Sequence, residues 1–535
     1  MPLSHPSKAI TKHFLLAAPL PTFGRIRPVI SIVCKLVATD ASLVVTVLCL
    51  KSIVPLAQKE IQRTTLPKPV QSRVRVVGIG QCAPPTHGVD PKDVYTRMLN
   101  ALPADVCQVY EIMAKGGNLT CTNTAKTFDY SHIPRVSVAL VDSFTPLLPG
   151  VIKNLTPHVV VVTICTTTIS TFIDSFAPSE YGGMGDFEEQ AKKAMKSGDV
   201  RSFEKIANDL LASQSGKVEK RPNGMRIFDY ELMPQGAFPT RNTLPLSFYA
   251  QSIEALTHAD AVLCNTTSTF EPKSTHVLRR WWEEKLEKKI FFAGPQVPPP
   301  SQSRPRTVSV GPSAPDPFAH IFAFLDAQPA KSVMLISFGT IFYPSEKPWM
   351  IETIIKTLLD TRTPFILSRA AIRTIPFSPE LEKVVAESDL ALVADYVPVK
   401  EALEHPSISS FLTHGGANSM WEGILAGVLG IFWPFMVDQP VHAAYLSEGL
   451  DCAFELLQVR TGVGARLPYR GGKIEGTPEA VASEFHQVLV EVNGVVGQRK
   501  RKHLQVVRRR LLHAMNEGGE AEVDLKKLLD LAEHR

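Results

Sequence analysis

The sequence predicts an α/β protein built from two doubly wound domains. Three observations carry this. A chain of 535 residues exceeds one ordinary hydrophobic core. Short runs rich in Val, Leu and Ile alternate with amphipathic stretches, and the alternation occurs twice. A proline-dense segment separates the two series.

In the first series the runs are HFLLAAPL, SLVVTVLCL, VRVVGIG, VSVALVDSF, HVVVVTICTTT, AVLCNTT and KIFFAGP. Their near-continuous apolarity suits parallel strands buried on both faces. Between them, Lys92 to Ala114 reads as a helix and the charged stretch Asp186 to Glu219 as one or two surface helices. After Gly294 come Pro295, Pro298, Pro299, Pro300, Pro305, Pro312, Pro315 and Pro317, an extended linker. The second series is SVMLISFGT, TPFILSRA, LALVADYV, SISSFLTHGG and GVLGIFWPF, and the tail from Gln498 to Arg535 is helical with a break at Gly518 and Gly519. The domains are therefore placed at 1–294 and 318–505, with the linker at 295–317 and a helical tail at 506–535. Two such domains bind ligands in the cleft between them, at the carboxyl ends of the strands.

Composition excludes several classes. Lys plus Arg is 57 against 52 for Asp plus Glu, and a net charge of +5 over this length is no signature of a nucleic-acid binder. The basic cluster Gln498 to His503 with Arg508, Arg509 and Arg510 reads as a solvated helix face before it reads as a nucleic-acid or lipid patch. The eight cysteines show no close pairing and read as buried free thiols, so the Asn-x-Thr triplets at Asn118, Asn154 and Asn265 are expected to be unused. FLLAAPL follows Lys8 and Lys12 in the manner of a signal peptide, but Pro19 breaks it and it serves better as a first strand. The longest apolar stretch, Ala41 to Ala57, contains Lys51 and Pro55 and falls short of the roughly 20 residues a membrane span needs. The expectation is a cytoplasmic, monomeric protein.

The chemistry concentrates between Tyr396 and Gln439. Tyr396 follows a strand and offers a ring face to a nucleobase, although alone it would sooner be read as a strand-end core aromatic. Thr413 to Ser419, THGGANS, is a strand end, a glycine turn and a helix start. Glycines let the backbone approach a diphosphate, and the helix N-terminus favours anions. His414, Asn418 and Ser419 add side-chain donors, and Gly416 gives the turn room. Glu422, one turn into the helix, can accept two ribose hydroxyls, or it is a surface glutamate of a first turn. Asp438 and Gln439 follow the next strand, where a carboxylate and an amide can hold vicinal hydroxyls of a hexose. Arg369 in ILSRA sits at a further strand end.

This segment resembles the signature box of UDP-sugar-dependent glycosyltransferases of the plant secondary-product type, also found in fungi. ISFGT (Ile336 to Thr340), the stretch Asn265 to Glu271, FAGP (Phe292 to Pro295) and NEGG…VDL (Asn516 to Leu525) extend the resemblance in order. It implies the GT-B fold: two Rossmann-like domains facing across a cleft, acceptor bound by the first, nucleotide-sugar by the second, the C-terminal helix returning toward the first. It implies uracil stacking at Tyr396 with backbone pairing at Val397, phosphate closure by Ser337, Gly339 and Thr340, and sugar contacts at Asp438 and Gln439, with glucose favoured by the glutamine. No metal or cofactor is expected beyond the UDP-sugar co-substrate, since no DxD pair ends a strand and helix N-termini with His414 meet the diphosphate charge. The sequence departs from the family's pattern at Val399, Ala417 and His442, where the family has Gln, Trp and Asn.

In the first half, PTFGRIRP (Pro21 to Pro28) holds the position of the family's catalytic His, and that position is Arg25. Arginine is charged at any biological pH and accepts no proton. Asp142, at the end of VSVALVD, matches the Asp that orients the family's His. His13 precedes the strand at the opposite end and reads as a strand-edge residue. Arg25 and Asp142 are either a buried salt bridge or a rearranged catalytic pair, in which Asp142 is the base or the acceptor is acidic, such as a phenol or carboxylate. Phe23, Phe144 and Thr167 are expected in the acceptor pocket. The resemblance implies an inverting transfer of a hexose, glucose by preference, from UDP to a hydroxyl or carboxyl of a small lipophilic acceptor. The alternative is a UDP-sugar-binding protein of the same fold that has lost catalysis with its His.

Overall fold

The computed structural model describes residues 9–18, 23–80, 91–121, 123–236, 246–297, 317–371 and 374–533. Most of the linker expected at 295–317 lies outside the described residues, as does Cys82. Along the chain the strands are β1 (Lys12–Ala17), β2 (Leu43–Leu50), β3 (Val74–Ile79), a hairpin of β4 (Asn118–Cys121) and β5 (Lys126–Asp129), β6 (Val138–Asp142) and β7 (Val160–Cys165). A second hairpin, β8 (Val218–Lys220) and β9 (Arg226–Phe228), precedes β10 (Ala261–Cys264) and β11 (Lys289–Phe292). The second series is β12 (Val333–Ser337), β13 (Phe365–Ser368), β14 (Ala391–Ala394), β15 (Ile408–Thr413), β16 (Leu429–Phe432) and β17 (Ala453–Glu455).

The chain forms two compact units, and neither is one continuous stretch. The first comprises residues Met1–Leu211, Asn242–Gln296 and His513–Arg535; the second comprises Ala212–Arg241 and Val297–Leu512. Residues 212–241, which a linear division assigns to the first domain, thus cluster with the second.

The first unit holds a parallel sheet in the order β11-β10-β7-β6-β1-β2-β3. The chain runs outward from β1 to β3, then crosses back to β6 and runs outward the other way. The second unit repeats this with β14-β13-β12-β15-β16-β17, also parallel. Both are doubly wound sheets with a switch point, between β1 and β6 and between β12 and β15, where ligand crevices form. Every residue of β2, β7 and β15 is buried, which is why these strands read as unbroken apolar runs.

The two units have separate cores. One is built on β1, β2, β6, β7 and β10; the other is built on β12, β13 and β16 with the helices Pro348–Asp360 and Pro478–Asn493. Asp186 to Glu219 contains two helices, Phe187–Lys196 and Phe203–Ala212, packed through Phe187, Ala191, Ile206 and Leu211. The tail helix breaks where expected, with Gly518 at φ +75 and Gly519 capping Glu520–Asp530. Asp524 and Glu520 of that helix accept the N–H groups of Phe292 and Ser268, fixing it to the first unit.

The basic cluster is partly structural. Lys500 and Arg499 both hold Asp451, and Arg508 donates to the Leu425 carbonyl. Among the described residues all seven cysteines are free thiols, six of them buried, and no helix is long and apolar enough to cross a membrane.

Candidate functional site

The second unit gathers its expected residues at the carboxyl end of one sheet. Ser337 ends β12 and Gly339 and Thr340 follow it; Tyr396 and Val397 follow β14; His414 to Glu422 follow β15; Asp438 and Gln439 follow β16. The centre is the turn after β15. Gly415 is left-handed, at φ +81, and the chain then enters the helix Ala417–Ala426. No side chain caps this helix at Gly416, and a helix N-terminus behind a glycine turn favours an anion.

The glycines are explained by close approach. A Cβ on Gly416 would stand 2.6 Å from His414 Nε2, and one on Gly339, itself at φ +75, 2.9 Å from His414 Cε1. The imidazole is therefore packed against two backbone segments that only glycine permits. Burial pushes His414 down to about 4, with Asp438 opposing and His442 reinforcing. The ring is neutral near pH 7, so it supplies an N–H and no charge. It would meet a diphosphate as a hydrogen-bond donor, beside the helix terminus.

The neighbours fix this turn. His442 is buried and its Nδ1–H donates to the Gly415 carbonyl at 2.9 Å. Gln439 is buried too, and its Oε1 accepts the N–H groups of Phe435 and Met436 at 2.9 and 3.3 Å. Only the amide NH₂ of Gln439 is left to face a hydroxyl. Asp438 is half-buried, and the residue before it, Val437, has φ +61, a costly conformation for a β-branched side chain.

Glu422 is 6 % exposed, so it is no surface glutamate. Tyr396 is 45 % exposed with its ring 5.8 Å from Phe318, so it is no core aromatic. Val397 is buried in the core, leaving its backbone for any ligand. Asn418 and Ser419 are half-buried in the first turn of their helix, and Thr340 is exposed. Arg369 is engaged by Glu382 at 2.5 Å and stacks over Phe377. Beside the turn lies a small pocket whose walls include Gln235, Phe342, Tyr343, Trp433, Phe435 and Thr461. Phe342 stands 5.9 Å from the His414 ring.

Sequence reasoning missed the contribution of residues 212–236. Gln235 donates to the carbonyls of Pro434 and Val459. Glu231 binds the fully buried Arg460 at 2.8 Å, and Arg460 also holds Glu455 at 2.8 Å. The only signal was the polarity of the segment, which does not say where it packs.

In the first unit, Arg25 lies on the helix Phe23–Thr39 after β1, and Asp142 ends β6. Arg25 Nη1 is 3.4 Å from Asp142 Oδ1 and donates to Thr166 Oγ1 at 3.0 Å. Its guanidinium lies over the Phe144 ring, 3.6 Å from the centroid, and the side chain remains 26 % exposed. The pair is therefore not a closed, buried salt bridge. Asp142 is fully buried; Oδ1 accepts the Phe144 N–H at 2.8 Å, and Oδ2 has no hydrogen-bond partner among the described residues. Burial pushes its carboxyl up, against the pull of Arg25 and of the Phe144 N–H. Thr167 is half-buried at the end of β7, and Phe23 opens its helix with its side chain outside the described residues.

His13 does not precede the strand: it lies within β1, 1 % exposed. Its Nδ1–H donates to Pro134 O at 3.0 Å and Nε2 accepts from Thr46 Oγ1 at 2.9 Å. Burial holds it at about 4. Among the described residues no group of three or more His, Cys, Asp or Glu is placed to hold a metal ion.

Comparison with known proteins agrees with this geometry. A family model described as UDP-glucoronosyl and UDP-glucosyl transferase matches residues 312–459, which contain the whole turn. The UDP-glycosyltransferase eriJ of Hericium erinaceus is 25% identical over 97% of this chain and 98% of its own. The UDP-glycosyltransferase 74C1 of Arabidopsis thaliana is 27% identical over 61% of this chain and 65% of its own. Among solved structures, UGT2 of Phytolacca americana superposes with a TM-score of 0.67 at 17% identity, covering 98% of this chain and 100% of that one. UGT71G1 of Medicago truncatula gives 0.66 at 19%, covering 97% and 98%. The fold is GT-B, and the chain is similar over nearly its whole length to a fungal UDP-glycosyltransferase and over residues 312–459 to the UDP-glucoronosyl and UDP-glucosyl transferase family.

Proposed function

We propose that the protein transfers a hexose, glucose by preference, from UDP to a small lipophilic acceptor, with inversion at the anomeric carbon and without a metal. One observation carries the donor side: an uncapped helix N-terminus behind a glycine turn that lies flat on a neutral histidine, at a switch point. On this reading Tyr396 stacks on the uracil, Glu422 grips the ribose, and the diphosphate sits on the N–H groups of the helix that starts at Ala417. Ser337, Gly339 and Thr340 close over it. Asp438 and the NH₂ of Gln439 hold sugar hydroxyls. The first unit binds the acceptor near Phe144 and Thr167, in the cytoplasm, in a monomer.

The test is a donor and acceptor panel with mass spectrometry of the products, beside calorimetric titration with UDP. UDP binding with hexose-shifted products from UDP-glucose is the expected result. Products from another UDP-sugar but none from UDP-glucose would displace the glucose assignment. A second reading is favoured by Arg25, which cannot accept a proton: the protein binds UDP-sugar without turning it over. UDP binding with no UDP release for any acceptor, and release restored by Arg25→His, would establish it.

A further inference from the structure

We propose that the acceptor is a carboxylic acid, bound as its carboxylate by the guanidinium of Arg25 and glycosylated on a carboxylate oxygen. This rests on the transfer reading above and names the substrate class of its acceptor site.

The first step is an elimination. Where an alcohol is the acceptor, a group must take its proton as the new bond forms. Arg25 cannot, because it is permanently protonated. Asp142 is the only other candidate at this strand end that sequence matching supplies, and its geometry withholds it. Its side chain is fully buried, Oδ1 is occupied by the Phe144 N–H and faces Arg25, and Oδ2 exposes no surface for a substrate to reach. A carboxylate removes the need for a base, being ionised above about pH 5.

The second step is what Arg25 offers. Both of its hydrogen-bonding contacts use one nitrogen, Nη1. Nε and Nη2 make no hydrogen bond among the described residues, and about a quarter of the side chain is exposed. That leaves two N–H directions of a planar fork, the geometry that matches a carboxylate. One face of the guanidinium is dried by the Phe144 ring at 3.6 Å, which makes the cation less hydrated and more available to an anion. Phe144 in turn packs edge to face on Phe176 at 6.2 Å and against Phe248 at 5.9 Å, so the cation stands at the lip of an apolar wall. A cation beside aromatic rings describes a ligand with one charged end and a lipophilic body. Asp142 is then a positioning residue, holding Nη1 from behind through Oδ1.

The step balances without a proton. A lone pair of one carboxylate oxygen forms the bond to the anomeric carbon. The bond from that carbon to the β-phosphate oxygen breaks and its electron pair leaves with UDP. The products are an acyl hexose ester and UDP.

The experiment uses a matched pair, cinnamate and cinnamyl alcohol, with the full chain and UDP-glucose. Binding is read by calorimetry and transfer by UDP release. Cinnamate is expected to bind at least tenfold more tightly than the alcohol and to be esterified at a rate flat from pH 6 to 9. Arg25→Gln is expected to weaken cinnamate at least tenfold while leaving UDP affinity as in the wild type. Arg25→Lys keeps the charge without the fork and guards against a folding defect: it is expected to fall between the two. Equal binding and transfer of both compounds, or cinnamate affinity unchanged in Arg25→Gln, would overturn the assignment. Cinnamate bound through Arg25 with no UDP released would uphold the anion site and count against the transfer reading instead.

Discussion

The two units present the same architecture and opposite electrostatics. In the second, Arg460 is answered on both sides: it sits between Glu231 and Glu455 at 2.8 Å each, with Arg470 alongside. In the first, Asp142 is as deeply buried and has one long contact, 3.4 Å from Arg25, with Oδ2 left over. The first arrangement is what stability asks of a buried charge. The second is what a site keeps when a cation must remain partly free for a ligand. The difference separates a cluster that holds its charges for folding from a pair that leaves a cation open to a ligand.

The largest expected effect lies in the answered cluster. Arg460→Ala leaves two buried carboxylates, Glu231 and Glu455, to share Arg470, which should cost about 3–5 kcal/mol. Chemical unfolding followed by tryptophan fluorescence checks it. A shift below about 1 kcal/mol would mean that the cluster is hydrated and the contrast between the units is false.

Next come two histidines, one in each unit. His13 and His414 are both held at about 4 against an ordinary 6.5. Between those values the unfolded chain takes up protons that the folded chain refuses, so stability falls as pH drops through that window. Each group contributes about 3 kcal/mol across it. Glu484 works the other way: burial pushes it up to about 7 from 4.5, so its contribution falls as pH rises through that range. His13→Asn and His414→Asn should each flatten the decline in stability from pH 6.5 to 4. An unchanged slope in either would place that ring in water.

The donor turn gives the third test. Gly416→Ala puts a methyl 2.6 Å from His414 Nε2, and the imidazole must move. UDP affinity should fall about tenfold or more, near 1.4 kcal/mol, while cinnamate binding in the first unit stays as it was. Equal loss of both ligands would show that the two sites are not independent.

The candidate site of the second unit was legible as a cluster because its residues are local. Tyr396, His414, Glu422 and Asp438 fall within one stretch, and each follows a strand whose apolar run announces it. The strands were legible for the same reason, buried on both faces, and so was the helix break at Gly518 and Gly519. What escaped depended on distance along the chain. Glu231 and Gln235 belong to the second unit because they meet Arg460 and Thr461, more than two hundred residues away, and no periodicity records that. The hairpins β4–β5 and β8–β9 and the short strand β17 are too brief to carry a pattern. The burial that neutralises His414 is likewise a property of packing. In the first unit Arg25 and Asp142 could be named from the sequence, but whether they formed a closed pair or an open one was a matter of 3.4 Å and one unmatched oxygen.

The smallest expected effect is the most diagnostic. Asp142→Asn removes a buried charge whose partner is distant and keeps an oxygen to accept the Phe144 N–H. Relieving an incompletely paired carboxylate offsets the lost attraction to Arg25, so stability should change by less than about 1 kcal/mol in either direction. Arg25, freed of its anchor, should hold cinnamate in more than one pose. KM for cinnamate should therefore rise a few-fold, and the flat pH profile of transfer should be retained. A base would behave differently: its loss would lower kcat by about 10²-fold or more and change the pH dependence. A collapse of kcat with KM unchanged would thus return Asp142 to the role of base and make the first unit's unpaired carboxylate oxygen the reactive atom.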